Sequence, residues 1–175
     1  SILHYCLMGN HVHLVLQLQP ESKLSRFIKQ LNLTYFYYYK KLYEYSGHFW
    51  QDRFKSSIIE TDSYLLQCGK YIELNPVRAG IVGHPAQYVF SSYNFYAGSK
   101  ADTLITPSPA YLGLSDSPAL RQKQYIDFVV DSSIINSNLL NSKIYIGSQA
   151  FIDRLQDYYQ VKNRRDNRGR PLKAE

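Results

Sequence analysis

The sequence predicts an α+β domain, and three observations lead there. Two β-prone runs, at 2–8 and 11–18, flank a Gly9-Asn10 link of the kind that closes a tight hairpin. From 21 to 46 the period changes, with apolar residues returning every three or four positions as on a helix face. Further helical stretches follow after Asp62, after Ser117 and after Ser148.

In the hairpin, a two-residue link pairs Met8 with His11, Cys6 with His13 and His4 with Val15. Strand side chains alternate, so Leu3, Tyr5 and Leu7 share a face with Val12, Leu14 and Leu16. That apolar face is the expected core. The opposite face carries His4, Cys6, Met8, His11 and His13 and is expected to be presented. Next comes a long amphipathic helix striped by Leu24, Phe27, Ile28, Leu31, Tyr35, Tyr38 and Leu42. Gly47 suits its stop. Residues 48–60 are expected to be extended, with Phe49, Trp50, Phe54, Ile58 and Ile59. Thr61 or Asp62 caps the following helix. That helix ends near Asn75, because a residue before proline disfavours the helical conformation. Residues 82–98 read as an aromatic-rich loop and short helix, and 99–116 as a surface connection. Ser117-Pro118 opens a helix through Asp131, striped by Leu120, Tyr125, Phe128 and Val129. Gly147-Ser148 precedes the last helix, with Phe151, Ile152, Leu155 and Tyr158.

The chain has 175 residues, 45% hydrophobic and 19% charged, which suits one globular domain, with or without an appendage. No run approaches the roughly 20 apolar residues of a membrane span, and no leader pattern opens the chain. Two cysteines, Cys6 and Cys68, are too few for a disulfide framework. A reducing, cytoplasmic setting is expected. Of the net charge of +6, residues 161–175 supply +4 through six basic and two acidic side chains. The argument from basicity to nucleic acid therefore applies mainly to that tail. Tyrosine is abundant, 17 in all and often beside Lys or Arg, which suits stacking on unpaired bases as well as ordinary packing.

His11 and His13, at i and i+2 on a strand, point to one face. Unprotonated imidazole is the commonest neutral ligand for divalent metal at neutral pH. Two strand histidines hydrogen-bonded at a solvated sheet face would read the same way. Tyr71 and Asn75, at i and i+4, share a helix face. Tyr71 fits a nucleophile or a packing residue, and Asn75 an oxygen ligand or a helix-end cap. Arg53, Lys55 and Arg78 flank these motifs and suit phosphates or a solvated surface equally. Arg168-Gly-Arg170-Pro171 is like the core of a minor-groove AT-hook, or a solvated tail. Cys6 across from His13 permits a structural zinc with Cys68, although the spacing matches no common pattern.

Four segments in order carry a resemblance: YCLMGNHVHLVL at 5–16, GHFWQDRFKS at 47–56, YIELNPVRAG at 71–80 and SSY at 91–93. Together they resemble the single-tyrosine HUH transposases, most closely the REP-associated branch. The resemblance covers 1–98 as a nuclease/transposase core, with 99–175 a helical extension ending in a basic tail. It implies a ferredoxin-like antiparallel sheet with packed helices. It implies His11, His13 and Asn75 as ligands of Mg²⁺ or Mn²⁺ and Tyr71 as nucleophile. Arg53, Lys55, Arg78, Arg168 and Arg170 would be DNA contacts. The implied activity is metal-dependent cleavage and rejoining of single-stranded or hairpin DNA through a 5′-phosphotyrosine. No membrane partner is expected, and self-association into a homo-oligomer stays open. Gly9 stands where the family often has proline. The family also has an earlier strand and helix before this hairpin, so both are expected to be missing and a sheet edge exposed. Two other readings stay open: a domesticated module that binds DNA hairpins without cutting, and a zinc-stabilised domain built on Cys6, His11 and His13.

Overall fold

The computed structural model describes residues 1–60, 63–131 and 143–163. It is α+β, with strands β1 (Ile2–Leu7), β2 (Val12–Leu16), β3 (Ile58–Ile59) and β4 (Tyr145–Ile146). The helices are α1 (Leu24–Tyr43), α2 (Ser63–Glu73), α3 (Asn75–Arg78), α4 (Tyr93–Tyr96), α5 (Pro109–Leu112), α6 (Pro118–Val130) and α7 (Gln149–Tyr159). The chain divides into two compact units, one of Ser1–Gln17 with Ser57–Glu175 and one of Leu18–Ser56. This division does not follow a boundary at residue 98. Segments on both sides of that position share a core.

In the first unit the hairpin has the expected register. β1 and β2 run antiparallel, with Cys6 opposite His13 and His4 opposite Val15, and Met8 N–H donates to His11 O at 2.9 Å. A register shift between Ile2 and His4 places both Leu3 and His4 inside. The outer edge of β1 is also bonded. Leu7 N–H donates to Phe90 O at 2.9 Å, Ser92 N–H to Tyr5 O at 3.0 Å and Thr106 N–H to Ile2 O at 2.9 Å. The aromatic segment after the tyrosine helix thus returns along the hairpin and satisfies its backbone.

The buried face is the reverse of the expected one. His4 and Cys6 are fully buried, while Leu7 and Val12 are 43% and 48% exposed. The reason is α2, which lays Cys68 and Ile72 on the side bearing His4, Cys6 and Val15. Alternation defines two faces but does not say which one a distant helix covers. On the other side of β1, Tyr5 packs against a second cluster of Leu74, Tyr93, Tyr96, Ile105, Tyr111, Tyr125 and Val129.

α2 ends at Glu73, and Leu74, in the right-handed helical region at φ −86° and ψ −4°, joins it to α3. Pro76 sits in the first turn of α3, where its missing N–H costs nothing. The break expected at Asn75 is therefore only a joint. Lys70, 2% exposed, donates from Nζ to Phe128 O at 2.7 Å and Asp131 O at 2.6 Å. It thereby ties α2 to the carbonyl end of α6. Only Ile58 and Ile59 of the expected extended run 48–60 pair, in parallel with Tyr145 and Ile146. Ser148 caps α7 as its Oγ accepts from Phe151 N–H at 3.3 Å, and its own N–H donates to Glu60 Oε2 at 2.6 Å. Thr61 and Asp62, expected as caps, lie outside the described residues.

The second unit is α1 and the chain after it. Tyr35, Tyr39, Phe49 and Trp50 form an aromatic cluster, and Trp50 Nε1–H donates to Asn32 O at 3.3 Å. The helix stops at Glu44, in the left-handed region with φ 49°, before Gly47 is reached. Lys40 and Lys41 lie in its last turn, where they complement the helix dipole.

Candidate active site

The turn delivers His11 and the first full rung of β2 delivers His13. Their rings lie on one side of the hairpin with centroids 4.8 Å apart and planes perpendicular. His11 is exposed, and its Nδ1 lies 2.6 Å from Asn10 Oδ1. His13 is half-buried. Burial first, and the neighbouring His11 second, pull the His13 imidazole down to about 4. At neutral pH it therefore carries no proton that a metal ion would have to displace.

Tyr71, in the last turn of α2, closes on this pair. Its ring is 6.5 Å from that of His13, again perpendicular. From the other end of the joint, the Arg78 guanidinium stacks over the Tyr71 ring at 4.3 Å. His11, His13, Tyr71 and Arg78 thus form one continuous cluster, drawn from a strand and two short helical segments. Asn75, the first residue of α3, is half-buried, and its Nδ2 donates to Ile72 O at 3.3 Å. The amide nitrogen is used, so the oxygen is the atom left to bind a cation. Two imidazole nitrogens and an amide oxygen are the donors that these elements offer to a divalent cation.

Arg53 and Lys55 belong to the second unit, where both are exposed. Arg168 and Arg170 lie outside the described residues. The zinc reading finds no support. Cys6 is fully buried, its thiol contacts Met8 Sδ at 3.6 Å, and burial followed by the Glu73 charge pushes it up to about 12. Among the described residues, no three His, Cys, Asp or Glu side chains group to hold a metal ion.

Sequence reasoning missed what lies beneath the cluster. Glu73, at the joint between Tyr71 and Asn75, is fully buried. Its Oε1 lies 3.1 Å from His4 Nδ1 and 2.6 Å from Ser92 Oγ, and its Oε2 accepts from the Tyr125 hydroxyl at 2.8 Å. The available signal was a carboxylate between Ile72 and Leu74, in a run otherwise apolar enough to be interior.

Residues 1–75 match the family model described as Transposase IS200 like. The match supports the transposase family and takes in His11, His13, Tyr71 and Asn75. No curated protein and no solved structure matches the chain. Among the described residues, no helix is long and apolar enough to cross a membrane.

Proposed function

We propose that this chain is a single-tyrosine DNA strand transferase of the HUH type, closest to the REP-associated transposases. It would act on single-stranded DNA carrying hairpins. The family match supports transposase-type DNA cleavage in general. The observation that carries the finer reading is the edge-on meeting of Tyr71 with His13, with Arg78 stacked on the same phenol. A tyrosine with an imidazole at its edge and a guanidinium on its face is placed to meet a phosphodiester.

In this reading the Tyr71 oxygen attacks phosphorus and gives up its proton. The bond from phosphorus to the 3′ oxygen breaks, and that oxygen leaves with a proton as a 3′-hydroxyl. The products are a 5′-phosphotyrosine and a free 3′ end. Reversal by a 3′-hydroxyl rejoins DNA and regenerates Tyr71, so no nucleotide cofactor is consumed. Arg78 holds a non-bridging phosphate oxygen by charge-assisted hydrogen bonds. His11, His13 and Asn75 would hold Mg²⁺ or Mn²⁺, which when bound supplies Lewis-acid polarisation of the phosphate. Arg53, Lys55, Arg168 and Arg170 would contact the DNA backbone.

The test mixes the full chain and Mn²⁺ with labelled single-stranded oligonucleotides carrying hairpins from its own genomic flanks. A covalent adduct mapped to Tyr71 by mass spectrometry, absent from Tyr71→Phe and abolished by chelator, is the expected result. Specific hairpin binding with no adduct would replace the transferase with a non-cleaving recognition module.

A further inference from the structure

We propose that Glu73 is a positioning residue for strand transfer, its buried carboxylate setting where Tyr71 stands relative to His11 and His13. The inference rests on the transferase reading above. Its ground is a second connection between the hairpin and α2, separate from the cluster of the candidate site.

The hairpin face under α2 carries two contacts. One is His13 against the Tyr71 ring at 6.5 Å. The other is His4, four residues before Met8 on the partner strand, with Nδ1 3.1 Å from Glu73 Oε1. Both His4 and Glu73 are fully buried. A Cβ on Gly69 would fall 2.5 Å from His4 Cε1, so the imidazole lies directly on the helix backbone one turn before Glu73. Tyr96 stacks on the same ring at 4.4 Å. His4 is therefore packed against both Gly69 of α2 and Tyr96 of α4.

Glu73 also takes donors from two further elements. Ser92 Oγ, just before α4, lies 2.6 Å from Oε1, and the Tyr125 hydroxyl of α6 donates to Oε2 at 2.8 Å. A buried carboxylate is tolerated when its oxygens are satisfied in this way, and such a network is rigid because each member loses heavily by moving. Tyr71 and Glu73, two residues apart, leave a helix about 200° from one another. The end of α2 is thus held at two points, at the candidate site through Tyr71 and in the core through Glu73. If the inner contact is released, the helix end can roll, and the long phenol magnifies the displacement. Asn75 follows, because it begins the segment that the joint at Leu74 carries.

The variants are Glu73→Gln, which keeps the shape and replaces one acceptor oxygen with an amide nitrogen, His4→Gln, and the pair together. Ser92→Ala and Tyr125→Phe each remove one donor. Two quantities are read. One is the single-turnover rate of adduct formation set against DNA affinity. The other, on metal-free protein, is the NMR cross-relaxation between the His13 and Tyr71 rings. Glu73→Gln is expected to slow adduct formation about 100-fold, as a misplacement of about 1 Å does. DNA affinity should hold within about threefold, the signature of an interaction that matters in the transition state. The ring-to-ring signal should weaken, and the double variant should be no slower than the slower single one, because the two act through one contact.

A wild-type rate and an intact ring signal in Glu73→Gln would overturn the proposal. So would a loss of rate matched by equal losses of DNA affinity and melting temperature. If Glu73→Gln does not fold, Ser92→Ala and Tyr125→Phe decide by the same two readings. If wild-type protein forms no adduct, the transferase reading fails. The ring signal in metal-free protein still decides whether Glu73 positions Tyr71.

Discussion

At Glu73 a single buried side chain bears on several of its neighbours. Its negative charge adds to burial in raising the phenols of Tyr93, Tyr96 and Tyr125 and the thiol of Cys6. Cys68 reaches about 12 by burial alone. The thiolate is the reactive form, so both cysteines should be inert in the folded chain. With an aromatic disulfide reagent at pH 8, neither should react in native buffer, and both should react once urea unfolds the protein. Rapid labelling of Cys6 in the native state would mean that the hairpin face under α2 is open. Sequence exposed little of this. Cys6 stood on the face expected to be presented, and only the arrival of α2 makes it interior.

Among the elements, α2 shows how a local preference yields to packing. A glycine inside a helix ordinarily costs about 0.8–1.0 kcal/mol relative to alanine, so Gly69→Ala should stabilise an isolated α2. In the folded chain the added methyl would meet the His4 ring at 2.5 Å. His4 is fully buried and packed against Tyr96, and overpacking of such a site costs typically about 1–3 kcal/mol. The larger penalty wins, and Gly69→Ala is expected to lower stability by about 1 kcal/mol in urea unfolding. A variant more stable than wild type would show that His4 can give way. The periods of the longer helices were legible, but α5 was not: 99–116 reads as a surface connection, yet it buries Ile105 and Tyr111 in the core. Pro118 opens α6, and α7 begins just after Ser148, where the sequence suggested. α1 keeps its apolar stripe but has no fully buried residue, with Tyr38 62% and Leu42 55% exposed.

For the molecule as a whole, alkaline pH is the sharpest probe, since 17 tyrosines are spread through it. Tyr125 is raised by burial and then by Glu73. Tyr96 has the same two causes, and Tyr5 is raised by burial and by its hydrogen bond to Asp102. A group whose pKa is higher folded than unfolded contributes stability below its unfolded value, near 10 for tyrosine. That contribution is lost as pH rises through the folded value. Stability should therefore fall steeply above about pH 10. A subset of tyrosines should ionise only as helical circular dichroism disappears, followed by absorbance at 295 nm. Smooth titration of every tyrosine near 10, with the dichroism intact, would contradict the buried phenol network.

Much of the candidate site was visible in one dimension. His11 with His13, and Tyr71 with Asn75, are pairs defined by strand and helix periods, and backbone geometry alone relates residues so close in sequence. The hairpin register was legible for the same reason, because a two-residue turn leaves one pairing. Which hairpin face is buried was not legible, nor that Ile58 and Ile59 pair with residues near 145, nor that Glu73 gathers His4, Ser92 and Tyr125. Each of these depends on which distant segment arrives at a surface. That choice is made by the burial available to the whole chain, and no short stretch of residues records it.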